Sequence, residues 1–122
     1  DELSKDAVKL RSRRANRIAL KRLKTAHKLL QQNAKQPFYE EVSKAIWLYL
    51  SDKLNIPLSS LSREKAFEAL NKRDVSPGLL LTIEQILIEC ETALYSPNSG
   101  ASQMQQSYSQ AVDIISKLEE RI

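Results

Sequence analysis

The sequence predicts an all-α fold: a compact bundle of about five helices, with a tetratricopeptide-like helical hairpin in its first half. Three observations carry that expectation. Two glycines and four prolines in 122 residues are too few for a turn-rich sheet. Apolar residues recur at three- and four-residue intervals over long stretches, the period of a helix face. No stretch of useful length alternates apolar and polar residues as a half-buried strand would. The length suits one domain. Residues 1–122 are therefore read as a single helical unit, with 1–13 as an extension of its first helix.

The first helix is expected over about residues 6–33. At the helical turn angle, Ile18, Leu29, Ala15, Ala26, Ala19, Leu30 and Leu23 share an arc of about 140°. Arg13, Lys24, Arg17, Lys28, Lys21 and Arg14 fall within about 100° on the far side. Arg22 interrupts the apolar arc, where its methylenes can lie on the core while the guanidinium reaches outward. The second helix, about 37–55, opens with Pro37, whose missing N–H costs nothing in a first turn. Phe38, Val42, Ala45, Ile46, Tyr49 and Leu50 form its stripe, and Trp47, Leu48 and Leu54 lie off it. An apolar arc that wide places this helix at the centre of the domain.

Ile56-Pro57 ends it, because a residue before proline is pushed out of the α region. Ser62 then caps a short third helix, about 63–72, with Glu64 in its first turn and Phe67 and Leu70 as anchors. Ser76-Pro77 starts a fourth helix reaching about residue 95, with Leu80, Ile83, Leu87, Cys90 and Leu94 inward and Leu79, Ile86 and Ala93 beside them. Residues 96–100 are the clearest loop. The fifth helix, about 101–121, buries Met104, Tyr108, Ala111, Val112, Ile115 and Leu118. The hairpin likeness lies in 26–45, with Leu29-Leu30, Asn33 and Phe38-Tyr39; a single such unit is weak, since arrays need about three.

Composition narrows the class. Hydrophobic content of 42% and charged content of 28% exclude the disordered and fibrous extremes. One cysteine, Cys90, excludes an internal disulfide framework and fits a reducing compartment. Residues 1–14 are charged and lack the apolar region of a signal peptide. The longest apolar stretch, 79–88, is interrupted by Thr82, Glu84 and Gln85 and is too short to span a bilayer, so the fragment is expected to be soluble.

No enzyme chemistry is expected. A nucleophile needs a base within reach, and the only candidates are His27, at the border of the first helix's apolar arc, and Cys90, on a core stripe. His27 reads as a boundary residue and Cys90 as a small buried hydrophobe. One His and one Cys cannot build a structural zinc site, and no acidic run has calcium-loop spacing. Two glycines cannot form a phosphate cradle. Glu40-Glu41 and Glu119-Glu120 read as solvated faces. No catalytic residue, metal or cofactor is assigned.

The net charge of +4 conceals a segregation. Residues 1–36 hold eleven Lys/Arg against three acidic residues, an excess of +8, and the remainder holds eight against twelve, or −4. Arg13, Arg14, Arg17, Lys21, Lys24 and Lys28 are the candidate contacts for an anionic surface or partner. They suit lipid headgroups, since each cation near such a surface contributes about 1 kcal/mol. Nucleic acid is the alternative ligand of the same face, but there are no aromatics there for stacking and no polar recognition helix. A plain solvated surface is the third reading.

Several runs also resemble a known family. They are Arg14-Ala15-Asn16 leading into Ala19-Leu20-Lys21-Arg22-Leu23, then Phe38-Tyr39-Glu40-Glu41 with Lys44-Ala45, and Leu61-Ser62-Arg63-Glu64. The most specific is Cys90-Glu91-Thr92-Ala93-Leu94-Tyr95-Ser96-Pro97. Together they resemble the C-terminal region of the BatD aerotolerance (oxygen tolerance) family, whose corresponding run reads Cys-Glu-x-Ala-Arg-Tyr-Ala-Pro. Leu94 and Ser96 depart from it. The likeness covers about residues 14–118. It implies a non-catalytic scaffold on the cytoplasmic side of a bacterial inner membrane, the soluble domain of a membrane-anchored protein. It also implies a complex with a MoxR-type AAA+ ATPase and von Willebrand factor A-domain proteins. Within the run, Cys90, Glu91, Ala93, Tyr95 and Pro97 are the motif residues. On a structural reading Cys90 and Leu94 pack inward, Tyr95 anchors the helix end and Pro97 stops it. On a docking reading Glu91, Tyr95 and the 96–100 loop present an edge to a partner.

Overall fold

The computed structural model describes residues 2–95 and 100–121, with side chains for 14–93, 95, 100 and 102–120. Ser96 and Pro97 and the side chains of Arg13 and Leu94 lie outside the described residues. The described chain is all-helical: α1 (Glu2–Gln31), α2 (Lys35–Leu54), a 3-10 turn (Leu58–Ser60), α3 (Arg63–Lys72), α4 (Pro77–Thr92), a second 3-10 turn (Ala93–Tyr95) and α5 (Ala101–Arg121). Pro37 sits in the first turn of α2, as expected.

α2 is the central rod, in contact with α1, α3, α4 and α5. Phe38, Tyr39, Val42, Ala45, Ile46, Tyr49, Leu50 and Leu54 are all buried on it, and Phe38 meets Tyr39 edge to face at 5.0 Å. α1 forms a hairpin with α2 and also touches α5. Its buried strip is Ala15, Ala19, Leu23 and Ala26, narrower than the expected arc. Ile18 falls on the exposed edge, and Leu29 and Leu30 are partly covered, because only two helices pack on α1. Small alanines let the two helix backbones approach closely.

The helix starts follow the sequence signals. Ser62 Oγ accepts the Lys65 N–H at 3.2 Å, and Ser76 Oγ accepts the Leu79 N–H at 3.2 Å. The helix ends use a device the sequence reading did not foresee. Asn33, Asn55 and Asp74 each adopt left-handed backbone, with φ of 56°, 56° and 61°. In each case the following N–H reaches back five residues: Ala34 to Leu29 O, Ile56 to Ser51 O and Val75 to Leu70 O. This closure usually employs glycine, but Asn and Asp tolerate the conformation.

Two anchors differ from expectation. On α3 the fully buried residues are Ala66 and Leu70, and Phe67 is only partly covered. On α5, Ser107 and Ile114 join Met104, Ala111, Ile115 and Leu118 in the core, while Tyr108 and Val112 lie at its margin.

Candidate interaction surface

The basic stripe is built by α1. Arg14, Arg17, Lys21, Lys24 and Lys28 are all exposed, and among the described residues none of the five forms an ion pair. From Arg14 to Lys28 the stripe runs about 21 Å at the helical rise. Arg17, Leu20, Lys21, Lys24, Thr25 and Lys28 line a shallow open hollow along it. Leu20 borders the cations on one side and Ile18 on the other, both exposed. The arrangement is a row of exposed ammonium and guanidinium groups with apolar edges. Such a surface attracts anions over a Debye length, and its pull falls as salt rises.

Arg22 differs from its neighbours. Its Nη1 lies 3.8 Å from Glu41 Oε2, and its Nε is buried without a hydrogen-bond partner. The Arg22 side chain stays 37% exposed, with its Nε buried on the stem side, and its guanidinium reaches Glu41 at the edge of the α1–α2 interface, where Glu41 is half-buried and not a freely solvated carboxylate.

Along 90–97 the structure separates the motif residues. Cys90 and Ala93 are buried and Glu91 is exposed. Tyr95, expected to anchor the helix end, is 86% exposed. The physical reason is helical phase: two positions past buried Ala93 the chain has turned by about 200° in α winding or about 240° in 3-10 winding, so Tyr95 faces away from the core in either case. Tyr95 therefore does not anchor the helix end in the core.

Cys90 and His27 sit on α4 and α1, two helices that do not pack on each other. His27 is half-buried and packs its ring on Tyr108 at 4.9 Å, tilted by 45°. Burial, with Glu89 and Glu91 adding to it, pushes the Cys90 thiol up to about 12. A thiol held protonated is a poor nucleophile. Among the described residues no three His, Cys, Asp or Glu side chains come together as a metal site would require, and no helix is long and apolar enough to cross a membrane.

Two polar clusters escaped the sequence reading. Lys53, with its side chain 1% exposed, meets Glu119 Oε2 at 2.6 Å, and the Tyr49 hydroxyl donates to the same oxygen at 2.6 Å. Glu119 is thus a structural partner and not a solvated face. Burial first, then this carboxylate, holds the Tyr49 phenol well above its ordinary range. In the second cluster, Ser107 donates to Glu89 Oε1 at 2.6 Å and Gln103 donates to the same oxygen. The Tyr39 hydroxyl lies buried beside Ser107 without an aligned hydrogen bond, and its pKa is raised by that burial. A signal existed for both. Lys53 follows Tyr49 by four residues and Ser107 follows Met104 by three, so each polar residue sits on an apolar stripe.

Among the described residues, fold and surface together define an all-α bundle with a cationic face on α1 that no ion pair compensates. No family model, no curated protein and no solved structure matches the chain.

Proposed function

We propose that this chain is a non-catalytic interaction domain of the BatD aerotolerance kind, held against an anionic membrane surface by the basic face of α1. In this reading it sits on the cytoplasmic side of a bacterial inner membrane and joins a complex with a MoxR-type AAA+ ATPase and von Willebrand factor A-domain proteins. The observation that carries the membrane contact is the exposure of Arg14, Arg17, Lys21, Lys24 and Lys28 with no ion pair among the described residues. The resemblance over 14–118, above all in 90–97, supports the complex. The α1–α2 hairpin is the unit we read as tetratricopeptide-like, and the exposed Glu91 and Tyr95 favour the docking reading of the motif over the packing one.

Vesicle binding tests the membrane contact. The chain is expected to cosediment with phosphatidylserine-containing vesicles at low salt, to release as salt rises, and to ignore neutral phosphatidylcholine. At about 1 kcal/mol per cation, Lys21→Gln/Lys24→Gln/Lys28→Gln weakens partitioning by roughly two orders of magnitude. Equal binding to neutral vesicles would overturn the contact. Tight duplex DNA binding with a steep salt slope, and no vesicle binding, would transfer the stripe to nucleic acid.

A further inference from the structure

A second surface stands apart from the basic stripe. Leu81 is 56% exposed, Ile88 lies seven residues on and is also exposed, and Tyr95 follows seven residues later. Seven residues are about two helical turns, so Leu81 and Ile88 form one solvent-facing line on α4, and exposed Tyr95 lies past its end in the following 3-10 turn. The opposite side of α4 buries Ile83, Ile86, Leu87 and Cys90. Glu84 and Glu91, themselves seven apart, run beside the exposed line. The surrounding chain is one-signed: from Asp74 to Ser116 there are five acidic residues and no Lys or Arg. An apolar line with an acidic border is an unusual outer face for a helix whose other side is already fully packed.

The complement of that face lies on the same molecule. From Arg14 to Lys28 there is no acidic residue, and the cations are bordered by exposed Ile18 and Leu20. Within one molecule the two faces do not meet: α1 packs on α2 and α5, and α4 packs on α2, α3 and α5. We infer that the outer face of α4 receives the cationic face of α1 from a second copy of this chain. Ile18 lies toward Leu81 and Ile88, and the neighbouring cations lie toward Glu84 and Glu91. The contact joins two different patches, so each pair retains one free face of each kind and association proceeds head to tail. The inference rests on the same reading of α1 as a surface that seeks negative charge, and it makes anionic lipid a competitor for self-association.

Sedimentation equilibrium of the full chain at low salt tests it. The average mass is expected to rise above that of one chain as concentration increases, and to fall back when salt is added. Lys21→Gln/Lys24→Gln removes one face and Leu81→Gln/Glu91→Gln the other, at exposed positions where glutamine suits a helix. Each variant alone is expected to sediment as a single chain with the parent's thermal melt. An equimolar mixture is expected to form a two-chain species and nothing larger, because one intact face of each kind remains. A parent that stays a single chain at every concentration overturns the inference, as does a mixture that stays unpaired. The Leu81→Gln/Glu91→Gln variant also separates this inference from the membrane reading, since it loses self-association while keeping vesicle binding.

Discussion

The Lys53 ammonium meets Glu119 at 2.6 Å with almost no solvent access, and Tyr49 binds the same carboxylate from the side. Drying a charge is expensive, and a buried pair returns that cost only while both partners remain. Removing the two members should therefore have unequal effects. Glu119→Ala leaves the ammonium buried without its carboxylate and is expected to cost about 3 kcal/mol in urea unfolding. Lys53→Met keeps the packed stem and leaves Glu119 at the rim, where water and the Tyr49 hydroxyl can serve it, so its cost should be below about 1 kcal/mol. Equal losses would mean that the pair acts as a surface bridge.

Cys90 gives a second expectation at this scale, in alkali. Its thiol titrates near 9.0 in an ordinary setting and is pushed up to about 12 in the fold. The folded state thus holds a proton that the unfolded chain releases. The stabilisation is complete below pH 9 and is lost as pH rises from 9 toward 12. Each unit of separation corresponds to about 1.4 kcal/mol, so the thermal midpoint should fall measurably between pH 9 and 10, where the raised Tyr39 and Tyr49 contribute less than the thiol. Cys90→Ala is expected to cost about 1 kcal/mol at neutral pH and to flatten that early alkaline decline. An unchanged decline would assign it to other groups.

At the scale of the elements, the serine caps of α3 and α4 and the stop of α2 before Pro57 were legible, while the backbone device that closes α1, α2 and α3 was not. Ser62 and Ser76 announced their caps because a hydroxyl before a helical pattern has one obvious use. Asn33, Asn55 and Asp74 close α1, α2 and α3 in left-handed backbone, a role glycine usually announces, and in a chain with two glycines the signal was muted. Asn55→Ala is expected to cost about 1 kcal/mol by thermal melt, because a β-carbon is strained there without the side chain's local hydrogen bonding. Asn55→Gly should be neutral or slightly stabilising. The reverse order would show that the Asn55 side chain, not its backbone angle, holds the turn. Tyr95 differs from expectation for another reason. A large ring at a helix end reads as an anchor, yet helical periodicity sets it seven residues beyond exposed Ile88, on the outer side.

At the scale of the molecule, the five helices followed from periodicity together with the serine caps and prolines between them, and the central place of α2 from its wide apolar arc, because wide and narrow arcs distinguish a surrounded rod from an edge one. The candidate surface was legible for the same reason, as charge segregated on one helix face. What the sequence concealed is long-range polar pairing: Lys53 with Glu119 and Glu89 with Ser107 are brought together by packing, not by spacing. The resulting body is electrically polarised, with cations along α1 and carboxylates without cations along α4. That asymmetry, and not any buried chemistry, is what the account takes as its working part.

Backbone amide mapping by NMR, as vesicles containing phosphatidylserine are added, tests that claim most directly. The account predicts that signals from residues 14–28 shift or broaden first, that α3 and α4 change least, and that phosphatidylcholine alone leaves the spectrum as it was. Changes centred on α4 or α5, or none in α1, would contradict it.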